Sequence, residues 1–165
     1  MIDQAKSGAA VAPLLEVRRE QGFKVPLERL WAIVRDFDAL CDWLPPIEKL
    51  TVTRGGHNAP GTVRHLDIRG GGFVEEELLE HDTKQHRFVY RGVGGVLPLV
   101  DYRSEFHAEA VGSDATKVTW VGHFRRKDPG AHPAAGADDE TALATIAGVY
   151  DAGLAALQAA LKPMG

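Results

Sequence analysis

At 165 residues the chain is long enough for one domain with a substantial core and short for two. Its 44% hydrophobic and 25% charged residues are those of an ordinary globular protein, and a net charge of −4 with both signs interleaved carries no nucleic-acid footprint. One cysteine, Cys41, excludes an intrachain disulfide and any paired-cysteine redox motif.

In chain order, residues 1–13 hold one lysine and no long apolar run. They read as a flexible lead-in rather than a secretory signal, ahead of one domain over 14–162. Leu14 to Lys24 is strand-like. Pro26 stands where helices accept a first residue, and Leu27, Leu30, Trp31, Val34 and Phe37 recur at helical spacing to about Asp36. A second short helical piece, Asp38 to Trp43, is ended by Pro45-Pro46.

Six strands follow: Ile47 to Arg54, Thr62 to Arg69, Phe73 to Asp82, His86 to Gly92, Leu99 to Val111 and Lys117 to Lys127. Gly70-Gly71-Gly72 makes a hairpin turn, Thr83-Lys84-Gln85 another, and Gly92 to Pro98 a longer loop. Such short turns predict antiparallel pairing. The basic run Arg125-Arg126-Lys127 reads as a solvated strand end.

The last segment, Asp138 to Leu161, carries one apolar stripe: Leu143, Ile146, Val149, Tyr150, Gly153, Leu154, Leu157 and Leu161. Asp138, Asp139 and Glu140 favour its first turn, and Lys162-Pro163 end it. Asp151 and Gln158 make it look too polar for a membrane span, so a cytoplasmic protein without membrane insertion is expected. A long helix with one apolar face needs a broad partner. The fold class expected is α+β: a seven-stranded curved antiparallel sheet around a long C-terminal helix, with two short helices between strands 1 and 2.

Alternation along the strands assigns their faces. Tyr102, Ser104, Phe106, Ala108 and Ala110 point to the helix, as do Phe88, Tyr90, Val118, Trp120, Gly122 and Phe124. The strand Thr62 to Arg69 puts Arg64 inward beside Leu66 and Ile68. With a three-residue loop at Gly70 to Gly72, Leu66 faces Glu76 and Arg64 faces Leu78, so Arg64 and Glu76 are diagonal neighbours roughly 7 to 8 Å apart at the backbone. Three arrangements fit: a bulge that returns Glu76 to solvent, a structural ion pair under the helix, or a polar spot in a partly hollow cavity. Hydroxyls and glycines among the inward residues suit a pocket wall of apolar groups with a few converging polar ones.

These residues resemble a known family. Pro26 with Trp31 and Asp36-Phe37, Trp43-Leu44-Pro45, Pro60-Gly61-Thr62-Val63-Arg64, Glu76 before Leu78-Leu79, Tyr102, Trp120-Val121-Gly122, and Val149-Tyr150 with Gly153-Leu154 are similar to the START-like, or SRPBCC, helix-grip superfamily. The nearest branch is the bacterial polyketide cyclase/dehydrase-like one, and the resemblance covers about Leu14 to Leu161. It implies a cavity between sheet and long helix, with mouth and gate at the loops Gly70 to Gly72 and Gly92 to Pro98. Relatives include cyclases, carriers, receptors and assembly factors. The gate and latch motifs of plant hormone receptors have no match here.

No phosphate loop, cysteine pair or histidine pair at metal spacing is present, so no metal or cofactor is expected. The seven histidines are scattered, and His65, His81, His107 and His123 fall on outward positions. The expected partner is a small hydrophobic ligand, with a monomer or homodimer. For catalysis the candidates are Glu76 as general base, with Arg64 and Tyr102 stabilising an enolate oxygen in an aldol-type ring closure or dehydration. The candidate ligand-binding residues are Leu66, Ile68, Leu78, Phe88, Tyr90, Ser104, Phe106, Trp120, Val149, Tyr150 and Gly153. A non-catalytic carrier of a lipid, isoprenoid or aromatic metabolite uses the same wall, and an assembly or interaction factor is the third possibility.

Overall fold

The computed structural model describes residues 12–162, so most of the expected lead-in and Pro163 lie outside the described residues. Seven strands form one sheet: β1 (Leu15–Phe23), β2 (Ile47–Arg54), β3 (Val63–Ile68), β4 (Phe73–Asp82), β5 (Arg87–Gly95), β6 (Leu99–Gly112) and β7 (Ala115–Arg126). Their order is β1-β7-β6-β5-β4-β3-β2, antiparallel at every pairing. Two short helices, α1 (Leu27–Val34) and a 3₁₀ helix (Phe37–Asp42), lie between β1 and β2, and α2 (Asp139–Ala160) follows β7. Register shifts in β2, β4 and β6 mark bulges, which strengthen local twist and help a sheet curl around a helix.

α2 starts where Asp138 accepts a hydrogen bond from the Thr141 amide at 3.0 Å. Ala142, Ile146, Tyr150, Leu154 and Leu157 bury one face of it against the sheet. Gly153 belongs to that face because a β-carbon there would lie 2.7 Å from the Trp120 ring. Leu143 and Val149 are only half-buried. By length and mean hydropathy α2 would pass as a membrane span, against the sequence expectation; here its apolar face is covered by strands. α1 turns Leu30, Trp31 and Val34 inward, with Pro26 as the residue before its first turn rather than the first residue in it.

Three details differ from the sequence reading. β5 continues to Gly95, because Gly92, Gly94 and Gly95 still pair with β4. Ala110, near the end of β6, is exposed. The β3–β4 loop is Arg69 to Gly71, closed by the Ile68 amide on the Gly72 carbonyl at 3.0 Å. Three consecutive glycines at positive φ let the turn sit one residue earlier. That slip changes the register by two: Arg64 pairs with Glu76 directly, and Leu66 with Val74.

Candidate functional site

Arg64 and Glu76 both point inward and are almost fully covered, 2% and 6% exposed. The arrangement that returned Glu76 to solvent is therefore not the one adopted. Arg64 donates from Nε and Nη2 to Glu76 Oε1, at 3.0 and 2.7 Å, and from Nη1 to the Phe37 carbonyl at 2.7 Å. Its guanidinium carbon lies 3.7 Å from the centre of the Phe37 ring and 5.0 Å from that of Tyr90. An arginine packed against aromatic faces keeps its charge while losing water.

Phe37 is fixed in turn from the β2–β3 loop. Asn58 accepts from the Phe37 amide at 2.8 Å and donates to Asp36 at 3.0 Å. The 3₁₀ helix therefore presents both a ring and a carbonyl to Arg64. Both bonds to Glu76 fall on Oε1, and Oε2 has no hydrogen-bond partner among the described residues.

Next to this pair is a hollow of about 100 Å³ between the sheet and α2. Among the expected residues, Arg64, Glu76, Tyr102, Leu66, Ile68, Tyr90, Trp120 and Val149 line it. The others do not reach it. Leu78, Phe88 and Phe106 are buried in the core, where Phe88 lies 6.2 Å from the Trp31 ring of α1 and stacks on Phe106 at 5.2 Å. Gly153 lies behind Trp120, and Ser104 and Tyr150 sit deeper, in a hydrogen-bonded network.

The rest of the wall was not foreseen. Leu40, Leu44, Pro46 and Ile47 come from the 3₁₀ helix and its exit, Val74 from β4, Leu97 from the β5–β6 loop and Ile146 from α2. A signal existed for some of them. Leu40 and Leu44 are four residues apart just before two prolines, Leu97 is the largest apolar residue in a glycine-rich loop, and Ile146 precedes Tyr150 by one turn.

The network runs along the floor of the hollow. Trp120 Nε1 donates to Ser104 Oγ at 3.1 Å and the Tyr90 hydroxyl at 3.2 Å. Ser104 Oγ lies 2.6 Å from the Tyr150 hydroxyl, which lies 3.0 Å from that of Tyr102. An indole nitrogen can only donate, so Ser104 is an acceptor in that contact. In the Ser104–Tyr150 and Tyr150–Tyr102 contacts either hydroxyl can be the donor. Burial is the main reason all three tyrosines ionise less readily than usual, with the Glu76 charge adding to it for Tyr90 and neighbouring phenols for Tyr102 and Tyr150. They remain neutral donors. Among the described residues no cluster of three His, Cys, Asp or Glu side chains is placed to ligate a metal.

The chain matches the family described as polyketide cyclase/dehydrase and lipid transport over residues 15–162. It is similar in structure to an uncharacterized protein from Bacillus thuringiensis, with 29% identity, a TM-score of 0.76, and 90% of this chain and 100% of that one covered. Protein XoxI from Bacillus cereus is 28% identical with a TM-score of 0.75, covering 88% of this chain and 94% of that one. The Zhui aromatase/cyclase from Streptomyces sp. R1128 shares the fold at 16% identity, with a TM-score of 0.67 over 90% of this chain and 92% of that one. No curated protein matches the chain.

Proposed function

The chain belongs to the polyketide cyclase/dehydrase and lipid transport family, and from that premise we propose that it binds a small hydrophobic molecule in the hollow between sheet and α2. The observation that carries this reading is the Arg64–Glu76 pair, buried in an apolar wall with Glu76 Oε2 uncommitted. A pair needed only for structure has no use for a carboxylate oxygen left beside open space. The ligand is apolar over most of its surface, and its polar end meets Arg64, Glu76 and the Tyr102 hydroxyl.

Size narrows the class. Cavities of roughly 150 Å³ take benzene, and drug-sized ligands use about 300 to 1,000 Å³. A hollow of about 100 Å³ lies below that mark, so one ring or a short chain fits only as the wall yields a little, and a fused multi-ring molecule enters only if Leu97 moves.

A catalytic reading has its own support. Glu76 and Tyr102 both line the hollow, a carboxylate and a phenol on one wall. Glu76 then removes a proton next to a ligand carbonyl, while Arg64 and Tyr102 receive the negative charge that develops on its oxygen. Loss of water follows when the hydroxyl departs with a proton returned from Glu76. The carrier reading needs the same contacts and no turnover.

Native mass spectrometry of the full chain, isolated without detergent, tests binding. A bound apolar species, or uptake of an added aromatic ketone such as acetophenone, is expected. A bare polypeptide that takes up no such ketone contradicts the reading. With a substrate in hand, unchanged turnover in Glu76→Gln would remove the catalytic step and leave the carrier.

A further inference from the structure

The ladder between β5 and β6 stops early. It runs from Arg87–His107 to Arg91–Arg103, yet β5 continues to Gly95 and β6 begins at Leu99. On their outer sides both stretches stay paired, Gly92, Gly94 and Gly95 with β4 and Leu99 and Val100 with β7. Alternate backbone groups of an antiparallel strand face each neighbour. Those that these two stretches turn toward each other have no ladder to join. The sheet is split there.

The split contains a wedge of about 300 Å³, lined by Gly92 to Gly95, Val100, Asp101 and Lys127. It shares Val74, Leu97 and Tyr102 with the hollow, so Leu97 stands in the wall between the two spaces. Two charged side chains line it. Asp101 is paired with Arg125, Oδ2 to Nε at 3.5 Å. Arg126 is committed to Asp139 and to the carbonyls of Asp128 and Gly130. Of the basic run at the end of β7, Lys127 alone has an uncommitted charge among the described residues.

We propose that this wedge is a second subsite, which takes the anionic group of an amphipathic ligand whose apolar end passes Leu97 into the hollow. The inference rests on the reading of the hollow as a ligand site. Unladdered N–H groups in a stretch of glycines allow ligand atoms close to the backbone, and an ammonium with three free donors complements a carboxylate or a phosphate. A pairing strand from another chain suits the gap less well. Each open edge is about four residues long, short of the usual five or six, and the space narrows toward Arg91 and Arg103. The ligand class is then a single-ring or short-chain acid or phosphate.

Phenylbutyrate and phenylbutanol share an apolar end and differ in charge, so calorimetric titration of the full chain with each separates the two subsites. The acid is expected to bind about tenfold more tightly than the alcohol, the scale of one charge-assisted hydrogen bond. Lys127→Glu is expected to abolish that preference while the alcohol's affinity stays within about twofold. The amide signals of Gly94 and Gly95 should move with the acid and not with the alcohol. Lys127 is exposed and forms no ion pair among the described residues, so folding of the variant is not at issue. Equal affinities in the unaltered chain, or a preference for the acid that survives Lys127→Glu, overturn the anionic subsite and leave the hollow's role standing. If neither probe binds, the ligand-site reading falls and this one with it.

Discussion

Arg64 and Glu76 stand directly opposite one another on β3 and β4, and both nitrogens that Arg64 turns to Glu76 bond the same oxygen. Removing one partner strands the other charge in an apolar wall. Glu76→Ala is expected to lower stability by about 3–5 kcal/mol, whereas a double Arg64→Met, Glu76→Leu variant recovers most of that loss. Chemical denaturation measures both. If the pair has only a structural task, the double variant binds a ketone and its matching hydrocarbon as the unaltered chain does. The account expects its discrimination between them to vanish.

Glycines on two elements give opposite expectations. A β-carbon at Gly122 would collide with the Tyr150 hydroxyl, and the backbone of a central strand cannot withdraw. Gly122→Ala is therefore expected to cost about 1–3 kcal/mol and to break the Tyr150–Ser104 contact. Gly148 is exposed on α2, and a β-carbon there meets nothing within 4 Å. Gly148→Ala should stabilise by about 0.5–1 kcal/mol. Thermal melts of the two variants should move in opposite directions.

The chain has three tyrosines, Tyr90, Tyr102 and Tyr150, and all are buried in one network with ionisation shifted upward from 10.0. The unfolded chain releases these protons near pH 10, while the folded chain still retains them. Folded protein then binds more protons than unfolded, so stability is full below about pH 10 and falls as pH rises above it. Phenolate absorbance is expected to appear only together with loss of the circular dichroism of the fold. A tyrosine that ionises near pH 10 in an intact fold would contradict the network.

Leu97 is half-buried between the hollow and the wedge. Leu97→Ala should join the two spaces and admit larger ligands, raising the association rate of a bulky fluorescent apolar probe in stopped-flow measurements. Leu97→Trp should slow it. Equal rates in both variants would place the way in elsewhere.

Much of this architecture could be read from residue periodicity. Alternation in Tyr102 to Ala108 and in Val118 to Phe124 identified the inner face, and the stripe from Ile146 to Leu157 identified what it packs on. An inward Arg64 and Glu76, with an ion pair between them, was among the three arrangements the alternation allowed, though not their place directly opposite one another. A run of three glycines offers several turns of similar energy, so β3–β4 register depended on contacts far from the loop. Alternation also says which side of a strand a residue faces, and not how deep its atoms end. Phe88 and Phe106 thus looked like pocket wall but fill the core, and Ser104 and Tyr150 looked like wall but form the floor beneath it. Leu97 borders the hollow from an irregular loop, where no period points inward, and Leu40 and Leu44 come from a helical piece and its exit, too short for their spacing to fix a face.

The most direct test is a crystal structure of the full chain saturated with acetophenone, one ring bearing one carbonyl. The account predicts the ring between Leu66, Val74 and Ile146, with its oxygen in hydrogen-bond reach of Arg64 or Tyr102. A hollow that stays empty at saturation, or a ketone bound only on the outer surface, would contradict it.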